Sequence, residues 1–185
     1  MIKQQTTILP SAALGMIIFI FTEVMLFAAF ISAYLIVSAG ALDWPPINQP
    51  RLPAMATGFN TVVLFFSGIF LFLASRSFSR GVADETKKFL FLSLTAGLFF
   101  VLFQGAEWVR LIGYGLTMTS SVYGSFFYLL IGAHGLHAVA AILLLWVMYF
   151  RFRKDRLTRE SFLAAQFFWY FVVGVWPILY GLVYF

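Results

Sequence analysis

The chain has 185 residues, of which 62% are hydrophobic and only 10% charged, with 24 phenylalanines, no cysteine and a net charge of +5. Soluble domains are roughly a quarter charged, so this balance excludes a soluble globular enzyme and assigns the chain to the integral membrane proteins. Without cysteine, disulfides and thiolate metal sites are excluded as well, and the positive charge follows from membrane topology with no nucleic-acid partner implied.

Residues 1–10 are polar with a single Lys3. The apolar run at 12–38 is too long for a signal-peptide core and lacks a cleavage site, so it is predicted as a first transmembrane helix. Asp43, Trp44, Pro45, Pro46, Pro50 and Pro53 then form a stretch that cannot continue a helix. It reads as a loop with Trp44 as an interfacial anchor. A second span is predicted at 57–74, a charged connection at 75–88 and a third span at 89–112. After a short turn at 113–119 the fourth span covers 122–150, and a basic loop at 151–160 leads to the fifth span at 161–185. The expected fold class is all-α, a polytopic membrane protein with a five-transmembrane-helix bundle in one membrane domain, 1–185.

Charge orients the bundle. With five spans, Lys3, Arg76, Arg80, Lys87, Lys88, Arg151, Arg153, Lys154, Arg156 and Arg159 fall on one side, against Arg51 and Arg110 on the other. The positive-inside rule therefore predicts a cytoplasmic N-terminus and an outside C-terminus.

Polar residues inside the spans are the costly ones, and they mark interior contacts. Glu23 lies about nine residues into the first helix, roughly 14 Å deep at 1.5 Å per residue. His134 and His137, in the run SSVYGSFFYLLIGAHGLH from Ser120, lie at a similar depth when measured from the other surface, roughly 16 Å. A contact from Glu23 to His134 or to His137 would let each polar group satisfy the other. Two roles are open: hydrogen bonding that holds helices together, or handling of a proton or substrate. On the third span Gln104, Glu107 and Trp108 share one face by i, i+3 and i+4 spacing. Trp108 and Arg110 are expected to be an interfacial anchor and a snorkelling cation. Glu107 is expected to bond to Gln104 or to a tyrosine of helix four or five. Pro177, beside Gly174, frees the carbonyl of Val173 and predicts a kink in the last helix.

Ligand counting tests the redox and hydrolytic alternatives. A bis-histidine haem needs ligands on opposite faces of the iron, which two histidines three apart on one helix do not supply. A di-iron carboxylate bundle needs Glu-x-x-His motifs that the chain lacks. No nucleophile with a base is assembled by the pattern. The expectation is a chain with no catalytic residue, no metal site and no redox cofactor of its own.

GMIIFIFTEVMLF (from Gly15), WPP (from Trp44), NTVVLFFSG (from Asn60), LFQGAEW (from Leu102), VYGSFFYLLIGAHGLH (from Val122) and FFWYFVVGVW (from Phe167) together resemble, in order and over essentially the whole chain, subunit III of the haem-copper oxidases. By that resemblance Glu23 is similar to the family's buried helix carboxylate, Glu107 to the glutamate that follows its glutamine, and His134 with His137 to its HGLH pair. Five helices resemble the shorter bacterial form, which lacks the two N-terminal helices that wall a lipid-filled cleft in the longer one. The chain departs from the family's Trp-His-Phe-x-Asp in the last helix, with Tyr170 and Val173 in place of the histidine and the aspartate. A polar contact there is expected to be lost or redistributed, with the Tyr170 hydroxyl as one route.

The resemblance implies a non-catalytic subunit in the bacterial cytoplasmic membrane. Its expected partners are the catalytic subunit I, which carries haem and copper, other oxidase subunits, and membrane phospholipid. Its implied work is to bind lipid and to support proton uptake and stability during oxygen reduction. The alternatives are a nitric oxide reductase accessory subunit and a small-solute or proton carrier using Glu23.

Overall fold

In a computed structural model, which describes residues 11–46, 50 and 52–185, the chain forms five α-helices and, among the described residues, no strand. They are α1 (Ser11–Ala39), α2 (Ala54–Ser79), α3 (Ala83–Gly113), α4 (Val122–Arg153) and α5 (Arg159–Tyr184). All five are long and apolar enough to cross a membrane. Lys3 and Arg51, two of the charges used for the orientation, lie outside the described residues.

The helices run past the apolar windows at several ends. The stretch at 75–88 shrinks to a turn of Arg80, Gly81 and Val82, because Arg76 and residues 84–88 are helical. Charged side chains at a helix end reach the headgroup region while the backbone keeps its internal hydrogen bonds. The turn closes with Gly81 at φ 74°, Gly81 N–H donating to Phe78 O at 3.1 Å and Val82 N–H to Ser77 O at 3.0 Å. That pair of bonds satisfies the last carbonyls of α2 in a Schellman motif, where glycine carries the left-handed residue without penalty. The ends of α3 and α4 close the same way, on Gly115 and on Asp155. Ser121 caps α4 by accepting from Gly124 N–H at 3.0 Å, and Thr158 caps α5 by accepting from Ser161 N–H at 3.3 Å.

α2, α3, α4 and α5 form a ring in which each packs on its neighbours, and α1 lies outside it against α5 and α4. The difference in burial is large: 6% of the α1 span is buried, against 61% of α5. α5 is thus the axis of packing, with Trp169, Val172, Trp176 and Leu179 fully enclosed. α1 faces outward over most of its surface, exposing Phe21, Met25 and Ile36 among others. α5 continues as one helix through Pro177.

α2 is held by hydrogen bonds as well as by packing. Thr57, Asn60, Thr61, Leu64, Ser67, Gly68 and Leu71 recur every three or four residues and are all buried. From this face Asn60 Nδ2 donates to Phe100 O of α3 at 3.0 Å. Thr61 Oγ1 accepts from Trp176 Nε1 at 2.8 Å, and Ser67 Oγ accepts from Trp169 Nε1 at 3.2 Å. Each bond removes an indole N–H or an amide from hydrocarbon, where an unpartnered polar group is costly.

Candidate functional site

α4 presents its two histidines to different neighbours. Three residues advance a helix by about 300°, so the side chains diverge by about 60°. His137 is turned toward α1, and His134 into the ring between α3 and α5.

His137 forms the one histidine-carboxylate pair among the described residues. Its Nε2 lies 2.9 Å from Glu23 Oε2 and its Nδ1 lies 2.7 Å from Ala133 O, one turn back on α4. A carbonyl oxygen can only accept, so Nδ1 carries a hydrogen. The Nε2 to Oε2 contact then holds one proton, on the carboxyl or on the ring, and the pair is a neutral acid with a neutral imidazole or a carboxylate with an imidazolium. Either way its net charge is zero, which suits its surroundings. The rings of Phe27, Phe168 and Phe171 lie 5.3, 6.3 and 6.3 Å from the imidazole, and both side chains are only 14% exposed.

His134 makes no such contact. It is 1% exposed, its ring lies 4.9 Å from that of Trp176 and 6.3 Å from that of Phe100, and its Nε2 has no hydrogen-bond partner. Of the two contacts open to Glu23, the structure makes the one to His137, because α1 packs on the face of α4 that carries position 137.

The α3 residues have partners other than those expected. Glu107, 5% exposed, pairs with Arg110 Nη1 at 2.8 Å, so its charge is met within its own helix instead of by Gln104 or a tyrosine. Gln104 Nε2 donates to Tyr184 Oη at 3.0 Å, joining α3 to the end of α5. Arg110 keeps most of its side chain exposed. Trp108 differs from an interfacial anchor: its indole lies against Gly132 and Gly135 of α4 and its Nε1 is buried without a partner. A Cβ at Gly135 would stand 3.4 Å from Trp108 Cη2, so the missing side chains make room for the ring. Beside it, Phe100, Gln104, Trp108, His134 and Trp176 line an apolar cleft of about 350 Å³.

Trp44 is packed at the same end of the bundle as Arg110, its ring between those of Tyr34 and Tyr123 at 5.5 and 5.3 Å. Its Nε1 donates to Tyr34 Oη at 2.9 Å, and Tyr34 Oη donates to Leu182 O of α5 at 3.3 Å. Tyr34 thereby fastens α1 to α5, and Trp44 ties the loop to Tyr34. Tyr170 does not take over the polar contact of the replaced histidine, since its hydroxyl has no partner. Val173 instead packs against Gly68 of α2.

Sequence reasoning overlooked Tyr34, Thr61, Ser67, Trp169 and Trp176 as polar partners. The signal was present in α2, where small polar residues recur at helical spacing inside an apolar span. Among the described residues, no three histidine, aspartate or glutamate side chains gather to hold a metal ion.

The family described as Cytochrome c oxidase subunit III matches residues 3–185. Three proteins, each named cytochrome c oxidase subunit 3, are similar along nearly the same length. Those of Bos mutus grunniens and Bos taurus are 34% identical over 179 residues, covering 92% of this chain and 68% and 67% of theirs. That of Lemur catta is 33% identical over 179 residues, covering 92% and 64%.

Proposed function

Because this chain belongs to the cytochrome c oxidase subunit III family, we propose that it is the redox-inactive third subunit of a terminal respiratory oxidase, packed beside the catalytic subunit I in the bacterial cytoplasmic membrane. It binds phospholipid, and it supports proton uptake and the lifetime of the complex while oxygen is reduced in its neighbour. Haem and copper belong to that neighbour. The observation that carries this reading is the Glu23–His137 pair, which places two costly buried groups of the chain on the joint between α1 and α4.

Purification tests it directly. An affinity tag on this chain is expected to bring down, in mild detergent, a partner whose reduced spectrum shows haem and whose metal content includes copper. Recovery of the folded chain alone from actively respiring membranes, with no such partner, would refute the assignment.

The proposed orientation puts the Arg80–Val82 and Lys154–Leu157 turns in the cytoplasm, where ten of twelve Lys and Arg residues fall. In the cysteine-free chain, Ser79→Cys and Thr158→Cys are expected to react with an impermeant thiol reagent only in inverted vesicles, and Leu42→Cys only in intact cells. All three positions are exposed. Labelling of all three from one side would defeat this topology.

A further inference from the structure

The halves of α3 and α4 nearest the Arg80–Val82 turn meet along a groove that the polar site does not use. On α3 its wall is Lys87, Lys88, Phe91, Leu94 and Leu98, a single stripe at three- and four-residue steps. On α4 the facing wall is Ile142, Trp146, Tyr149 and Arg153, spaced in the same way. The helices run in opposite directions, so both stripes place their cations at the same end and their apolar residues toward the membrane centre.

The apolar part is a slot of about 240 Å³ whose floor is closed by Leu94 and Ile142, 5% and 7% exposed. Its lips, Phe91, Leu98 and Trp146, are 51%, 41% and 49% exposed. From Lys88 to Leu98 the slot descends about 15 Å at 1.5 Å per residue, which is half of a hydrocarbon core about 30 Å thick. It therefore spans one leaflet. Above it, Lys87, Lys88 and Arg153 are exposed, and no carboxylate lies within 4.0 Å of them among the described residues. Asp84 stands on the same rim as the one opposing charge. The nearby Glu85 is turned away toward Ser77 of α2, whose hydroxyl donates to it at 2.9 Å.

We infer that this groove binds one anionic phospholipid of that leaflet, with the phosphate group among Lys87, Lys88 and Arg153 and one acyl chain between Phe91 and Trp146. The occupant follows from the two halves taken together. A soluble anion would leave the slot uncovered. A zwitterionic lipid would bring its ammonium to a rim already in positive excess. The inference deepens the lipid-binding part of the proposed function, but it rests only on the chain being embedded in a bilayer and not on which oxidase it serves.

The test uses the full chain in nanodiscs of dioleoylphosphatidylcholine, with one lipid in ten replaced by a dibrominated-chain phosphatidylglycerol or phosphatidylcholine. Quenching of Trp146 is read as the difference between the wild-type chain and Trp146→Phe. Brominated phosphatidylglycerol is expected to occupy the slot about fivefold or more in preference to the phosphatidylcholine, the scale set by cations near a headgroup. The preference is expected to vanish in the combined Lys87→Gln, Lys88→Gln, Arg153→Gln variant. It is expected to persist in Arg151→Gln, Lys154→Gln, Arg156→Gln, which removes as much charge from the same side of the membrane, and in millimolar inorganic phosphate. Equal quenching by the two lipids, or equal loss in both triple variants, would overturn the site. So would displacement by phosphate alone. Because the lipid is symmetric across the nanodisc, failure here is independent of the orientation of the chain, and failure of co-purification leaves this result standing.

Discussion

Glu23→Ala is expected to loosen α1 from the bundle by about 1–3 kcal/mol, the cost of leaving a buried polar group unpaired. The magnitude follows from how α1 is held. It packs only on α5 and α4, and among the described residues it makes two side-chain hydrogen bonds to other helices, Glu23 with His137 and Tyr34 with Leu182 O. Removing the first leaves His137 Nε2 facing three phenyl rings. Glu23→Gln should cost much less, since its amide can donate to the same nitrogen. Adding His137→Leu to Glu23→Ala should cost little more than the worse single change, because both remove one interaction. The measurement is retention of the subunit during detergent washing of the assembled complex, together with oxygen reduction followed turnover by turnover. First turnovers are expected to survive in all three variants, with activity decaying faster where the pair is broken. If Glu23→Gln stopped oxygen reduction at once in a fully assembled complex, Glu23 would lie on an obligatory proton path and the supporting role would fall.

Gly97→Val is expected to disrupt the ring where α3, α4 and α5 meet. A Cβ at this position would stand 2.6 Å from Trp169 Cη2, 2.9 Å from its Cζ2 and 3.5 Å from Ile142 Cγ1. Trp169 is completely buried and its Nε1 is tied to Ser67 Oγ, so the ring has no room to swing aside. Overpacking of this kind costs about 1–3 kcal/mol and sometimes more. Here it would also break an indole hydrogen bond in an apolar interior. Gly105→Ala supplies the contrast. No atom lies within 4 Å of its would-be Cβ, and alanine favours the helix by up to about 1 kcal/mol. Thermal unfolding of the purified chain, read as loss of helical circular dichroism, should separate the two. Equal melting of Gly97→Val and the wild type would mean that α3 and α5 do not approach as described.

The element count and the membrane class were legible because they depend on apolar content and on the prolines and charges between the spans, all local properties. The ends of the spans were less so. Hydropathy falls where Arg76, Lys87 and Lys88 begin, but the helical backbone does not stop there, since long cationic side chains carry their charge to the interface while the helix continues. A bond between Glu23 and α4 was foreseeable from matched depth, because an isolated carboxyl and an imidazole in hydrocarbon each need a partner.

Which histidine takes Glu23 was decided by tertiary structure alone. His134 and His137 differ by three residues and by about 60° around the helix, less than the uncertainty of any face assigned from an apolar sequence with no polar side to orient it. The same limit hid the partners of Glu107 and Trp108. The expected reach of Glu107 to Gln104 or a tyrosine gave way to Arg110, and Trp108 found its place over glycines of α4 that spacing does not connect to it. The sequence by itself determined that five apolar helices must cross the membrane, and which few polar residues lie inside it. Only the folded bundle decided that α1 would lie outside a four-helix ring and that Trp169 and Trp176 would bond to α2. Hydrophobicity places a residue in the membrane but distinguishes poorly between lipid and protein as its neighbour, so the choice of helix neighbours rests on fit between side chains distant in the sequence.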